Sequence, residues 1–380
     1  MSFRYTLPIT PRETLRAAFT LVEVLVSMTV LLILLLISAQ VIGTVQSTWT
    51  TSNARISQFR EARTAFDIIT RNLSQATLNT YVDYDNSYLN PSSTTTAGAT
   101  TLTPQNYVRK SNLRFVCDQA AALVPQAGGL VNTPGHALFF QAPLGIAHNA
   151  AYVGLDRLLC GRGYFVQYTS DDFFRPEILP AGLPRYRYRL MEFSPPAEKN
   201  LIYSGQDAAG TQNNEWFAGA GVPLEQEENG PANPGLTRPI ADNIIALIIS
   251  PQTETDPNGV LEPTAIAPNF AYDSLTVGAA GAVGGGGGNL AGQGTQHLLP
   301  PLVKVVLIAI DEKSADRLTQ GDTSGTPPFG ATISDLIDED TEAANLNVTL
   351  EQIAQELRNR RVNYRIFSAT VVLRGAKWSI

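Results

Sequence analysis

Cysteine and histidine are nearly absent from this chain of 380 residues, which has two of the first and three of the second. Cys117 and Cys160 are too few for a disulfide framework or a zinc-ligand spacing. His136, His148 and His297 are scattered, so no metal centre and no catalytic cluster is expected. Charge is scarce as well: 16% of residues, with 27 Lys and Arg against 34 Asp and Glu, leaving a net charge of −7. That balance excludes bulk affinity for nucleic acid, which requires a basic field to neutralise phosphates. No internal repeat is present. The sharpest absence is local, for Val24 to Ala54 contains no Asp, Glu, Lys or Arg.

What fills that gap is apolar. Residues 24–42 are interrupted only by Ser27, Thr29, Ser38 and Gln40. Nineteen helical residues at ~1.5 Å each span roughly 28 Å, close to the ~30 Å hydrocarbon core of a bilayer. Arg4, Arg12 and Arg16 precede the run, with Glu13 the only acid near them. The positive-inside rule then keeps the amino terminus cytoplasmic and sends the remainder outward, to a periplasmic or equivalent space. Three readings fit: a plain signal anchor, a secretory signal peptide cut near Ala39, or a span whose leading carboxylate, Glu23, has a purpose. A signal peptide normally has a shorter apolar run and small residues at −3 and −1, where this chain has Ile37. A carboxylate at the centre of a span costs on the order of 2.5–3.5 kcal/mol, and less near the interface.

Ala18-Phe19-Thr20-Leu21-Val22-Glu23 resembles the processing site of type IV prepilins and type II secretion pseudopilins. The resemblance implies a prepilin peptidase that cuts between Ala18 and Phe19 on the cytoplasmic side and methylates the new terminus. Phe19 then becomes residue one and Glu23 residue five. Where the family carries Gly before the cut, this chain carries Ala18. The resemblance also gives Glu23 an assembly role: it pairs with the free amino group of a neighbouring subunit, and an ion pair between apolar helices favours one axial register.

Beyond the span the pattern turns amphipathic. Ile56, Phe59, Ala62, Phe66, Ile69, Leu73 and Ala76 recur at three- and four-residue steps between Arg55, Arg60, Glu61, Arg63, Asp67 and Arg71. From Tyr81 on, strand-like runs dominate: 112–117, 137–142, 163–169, 185–193, 243–250, 302–310 and 363–373. The run Leu302–Ile310 is apolar on both faces apart from Lys304, which predicts a central strand covered by the long helix. Thr349 and Gln352 have capping-box spacing ahead of a short helix. Residues 90–103, 197–239 and 275–296 read as loops or insertions. The expected fold is α+β and pilin-like, a long amino-terminal helix, half of it transmembrane, packed on an antiparallel β-sheet head. Its parts are a leader (1–18), a helix (19–80) and a head (81–380). The strand ending in "IDEKSADRL" and the terminal "YRIFSATVVLRGAKW" resemble the carboxy-terminal part of J-type minor pseudopilins. The whole layout resembles the prepilin-like Verru_Chthon cassette protein C group.

Three constellations invite other readings. In "RYRYRL", Arg185, Arg187 and Arg189 share one strand face, which suits a nucleic-acid grip or, more simply, a solvated face. In "DLIDEDTE", Asp335, Asp338, Glu339, Asp340 and Glu342 are acidic enough for calcium but lack an EF-hand spacing. The glycine run in 281–294 has no Lys-Ser/Thr after it and no helix pattern, so it is not a phosphate loop. No catalytic residue and no cofactor is expected. The sequence therefore points to a minor pilin or pseudopilin subunit with other such subunits, a prepilin peptidase and the membrane as partners. The alternative is a membrane-anchored binding protein that never polymerises. Once exported, Cys117 and Cys160 either form a disulfide or stay as two buried thiols.

Overall fold

The computed structural model describes residues 20–84, 107–124, 133–152, 154–171, 185–203, 216–217, 220, 236–253, 264–277, 293–319, 325–329, 332–337 and 342–376. The leader, Ala18 and Phe19, the glycine run, and Asp338, Glu339 and Asp340 of the acidic stretch lie outside these residues. The chain forms two compact units, residues 1–54 and 55–380.

The first unit is the leading part of helix α1 (Leu21–Leu73). An 18-residue window of its Leu21–Thr50 stretch reaches a mean hydropathy of 2.7, and none of that window is buried. At ~1.5 Å per residue the whole stretch is longer than a bilayer's hydrocarbon core. The hydroxyls within it do not point bare into an apolar surrounding. Ser27, Thr29 and Thr44 each donate to a backbone carbonyl one turn earlier, at 2.7, 2.8 and 2.9 Å.

In the second unit the closing turns of α1 bury the stripe that the periodicity predicts. Ala62, Ala65, Phe66, Ile69, Leu73 and Ala76 are buried, while Arg60, Glu61, Arg63 and Asp67 face solvent. The chain continues through β1 (Tyr81–Tyr84), β2 (Tyr107–Lys110), β3 (Val116–Gln119), α2 (Ala120–Leu123), β4 (His136–Pro143), β5 (Leu159–Thr169) and β6 (Arg187–Phe193). It then forms β7 (Thr237–Asp242), β8 (Ile244–Gln252), β9 (Tyr272–Asp273), β10 (Leu302–Ile310), α3 (Glu312–Thr319), α4 (Thr332–Asp335), α5 (Leu346–Asn359) and β11 (Tyr364–Val372).

These strands make two main antiparallel sheets rather than one. The six-stranded sheet has the order β7-β6-β5-β4-β3-β9, the three-stranded sheet the order β11-β10-β8, and β1 pairs β2 apart from both. β10 is central, as its two apolar faces require. Asn243 is the corner between the sheets. Its φ of 60° turns β7 directly into β8; its N–H donates to Tyr188 at 2.7 Å, and its carbonyl accepts from Ile310 at 2.9 Å. Asn tolerates this left-handed backbone better than most residues.

Two expectations about loops and caps need correction. Residues 197–239 are not merely an insertion: Trp216 and Phe217 are buried against Phe139, and β7 begins at Thr237. Gly163 on β5 makes room for that aromatic cluster, since a Cβ there would run into the Phe139 ring. The capping box at Thr349 does not exist. The helix starts earlier, at Leu346, and the Thr349 hydroxyl points back to the Asn345 carbonyl at 3.4 Å. A buried leading residue, Leu346, extends the helix past the local polar signal.

Candidate functional site

The first described residue, Thr20, sits outside the helix and caps it. Its hydroxyl accepts the Glu23 N–H at 3.3 Å, and its carbonyl accepts from Glu23 and Val24 at 3.0 and 3.2 Å. Thr20-Leu21-Val22-Glu23 thus has the spacing of a capping box, a signal that sequence reading passed over. Glu23 lies in the first turn, where the helix dipole favours a negative charge by roughly 0.3–1 kcal/mol. The carboxylate thus stands in the first turn of the helix, on an exposed surface, at the very start of the apolar segment. That position can present a carboxylate to a cation supplied from outside the chain.

The head holds a second concentration of charge, and there the expectation of a solvated strand face fails. Arg187 and Arg189 have side chains only 3% and 5% exposed. Helix α3 lies over that face of β6. Arg187 contacts Glu312 at 2.6 Å and Asp316 at 2.5 Å, and its Nη1 donates to Asn243 Oδ1 at 2.9 Å. Asn243 Nδ2 in turn donates to Glu312 at 2.7 Å. Arg189 contacts Asp242 at 3.1 Å and donates to the Thr169 carbonyl at 2.6 Å. Arg185, at the strand's start, reaches the same two acids of α3 but remains half exposed. The arginines of "RYRYRL" are therefore matched internally and lock α3 to the sheet corner. Helix α1 joins this cluster through Glu61, which accepts the Asp242 N–H at 3.2 Å. Partial burial, with Asp242 and Glu312 nearby, raises the Glu61 pKa despite that hydrogen bond.

A polar contact also ties α1 to the six-stranded sheet. Asn72 donates to the Tyr164 hydroxyl at 2.8 Å, which donates to Glu192 at 2.9 Å. Burial and the adjacent Glu192 push the Tyr164 pKa upward, so the phenol stays protonated.

The structure keeps the cysteines apart. Both are buried free thiols. Cys117 pairs with Leu138 across β3–β4, and Cys160 with Ala142 across β4–β5. Four residues along β4 separate those partners, about 13 Å, and the thiols also lie two strands apart. A disulfide needs Cα atoms within ~7 Å, so the bridge is not formed in this fold. Burial also drives the Cys117 pKa well up. Among the described residues no group of three or more His, Cys, Asp or Glu could hold a metal ion.

The family model for the prokaryotic N-terminal methylation motif matches residues 15–39. No curated protein and no solved structure matches the chain. The matched segment runs across Phe19, the Thr20 cap, Glu23 and the first half of the apolar helix. With an α+β head behind it, this chain carries the amino-terminal segment of the prepilin-like proteins, the type IV pilins and pseudopilins.

Proposed function

We propose that the chain is a minor, J-type-like subunit of a pilus or type II secretion-like filament. A prepilin peptidase removes residues 1–18 by cutting between Ala18 and Phe19 and methylates the Phe19 nitrogen. The amino-terminal segment, 19–80, which contains α1, holds the subunit in the cytoplasmic membrane with its start on the cytoplasmic side and the head, 81–380, outside. Glu23 then pairs with the terminal amino group of an adjacent subunit, and the subunit passes from membrane to filament through helix-to-helix contacts. The protein serves as a structural subunit and not as an enzyme. The observation that carries this reading is the methylation motif at residues 15–39, joined to a helix that begins at Leu21 with Glu23 in its first turn. A carboxylate in that turn is costly in lipid unless a partner meets it.

Mass spectrometry of the membrane-extracted protein tests the processing step. The expected mature chain begins at Phe19 and carries one added methyl group on its amino nitrogen. A chain that keeps Met1, or that begins beyond Ala39, would refute the reading.

A further inference from the structure

One end of the head carries a group of cations that meet no acid among the described residues. This is the end at which α1 enters. Glu61 contacts Asp242 there, Ile310 donates to Asn243, and Ile310 pairs with Tyr364 at the start of β11. The opposite end is marked by Leu302 against Val372 and by Gly375 against Ala76. At the entering end α3 and the turn from α5 to β11 come together, because Arg317 donates to the carbonyls of Arg360 and Arg361 at 3.1 and 2.7 Å.

Lys313, Arg317, Arg358, Arg361 and Arg365 are all exposed on this end. None of the five has a carboxylate within ion-pair distance among the described residues, whereas Arg185, Arg187 and Arg360 are matched by Glu312, Asp316 and Glu356. Arg60 and Arg63 on α1 are also exposed, with no carboxylate within ion-pair distance among the described residues. In a chain of net charge −7 such a patch is no by-product of a basic composition. It also lacks the exposed large apolar anchors that the centre of a protein interface uses, for none lies in 311–319 or 356–365.

We infer that this end of the head binds the anionic phospholipid headgroups of the bilayer that anchors the chain. Chain connection supplies the second argument. Only residues 51–60 separate Thr50, the last residue of the apolar segment, from Glu61, and even fully extended that stretch reaches no further than about 40 Å. The patch is thus held at high local concentration beside any membrane the helix enters. Each Lys or Arg near an anionic surface favours contact, and the attraction dies within a Debye length of ~8 Å at physiological salt. Contact with headgroups would hold the head near the membrane until filament contacts replace it.

The inference rests on Leu21–Thr50 being the membrane span, and the test separates the two. The full-length chain carries a fluorophore at Asn359→Cys and is placed in nanodiscs of neutral phosphatidylcholine or of phosphatidylcholine with one-third phosphatidylglycerol. Quenching by a headgroup spin label reports contact. The expected result is quenching in the anionic discs alone, abolished by high salt. Arg361→Gln should lower the bound-to-free ratio about fivefold, as loss of one cation implies. Arg374→Gln, the same charge change near Gly375, should leave it unchanged. A chain that enters both kinds of disc and is quenched equally in them overturns the proposal alone. So does an Arg361→Gln effect no larger than that of Arg374→Gln. A chain that enters neither kind overturns the span and the proposal together.

Discussion

At the scale of single residues, Glu23 has two tasks that pull on the same carboxylate. It stabilises its own helix start behind the Thr20 cap, and in the proposed assembly it neutralises an amino group from a neighbour. Glu23→Gln separates the tasks. A neutral amide is easier to place in lipid than a charge, so membrane insertion should persist. The helix start should lose no more than about 0.3–1 kcal/mol of dipole stabilisation. Incorporation beside other subunits should fail, because an amide cannot neutralise an ammonium group. Cysteine crosslinking from Ser27 to partner subunits is the measurement, and equal crosslinking in wild type and variant would leave Glu23 as a helix-end charge without an assembly role.

At the scale of elements, α1 is held to the sheets by an apolar stripe and by the chain of hydrogen bonds Asn72–Tyr164–Glu192. Tyr164→Phe keeps the ring in the core and removes both bonds, leaving Glu192 and Asn72 short of a partner in partly buried surroundings. The expected cost is about 1–3 kcal/mol in unfolding stability, read from the urea midpoint. Asn72→Ala, which leaves the Tyr164–Glu192 bond in place, should cost less. Much of this element level was legible beforehand. The α1 stripe and the run Leu302–Ile310 emerged from period and apolarity alone, since residues buried on one face or on both leave those traces. The burial of "RYRYRL" was not legible. An alternating strand looks solvated until its acids are known, and Glu312 and Asp316 lie more than a hundred residues away on α3. The short strands β1, β2 and β9 were missed for a related reason, since pairing across long connections, not local pattern, makes them strands. At the amino-terminal site the opposite happened. Thr20 and Glu23 form a local signal that was present and passed over.

At the scale of the whole head, two sheets must stay in register against one another, and His136 helps to do this. Its ring projects from β4 onto the free edge of β8, with Nδ1 3.0 Å from the Ile249 N–H and 3.2 Å from its carbonyl. The ring is buried, and that burial lowers its pKa from 6.5 to about 4. Between those values the unfolded chain binds a proton that the native head does not. Stability therefore falls as pH drops from about 6.5 towards 4, by ~3 kcal/mol in all, and is constant in this respect above pH 7. Urea midpoints measured between pH 7 and 5 should show the decline, and His136→Asn should flatten it although it lowers stability at pH 7.

The pairing of Phe66 on α1 with Phe367 on β11 has a consequence for how the molecule is made. The helix face is translated early, and the strand that receives it emerges about three hundred residues later. Closing so long a loop adds little to the equilibrium cost, because that cost grows only logarithmically with length, but contacts so remote in sequence form slowly. Throughout synthesis the aromatic face of α1 has no seat. The head cannot close upon its helix until β11 has been made; in the topology proposed above, translocation therefore finishes before folding does.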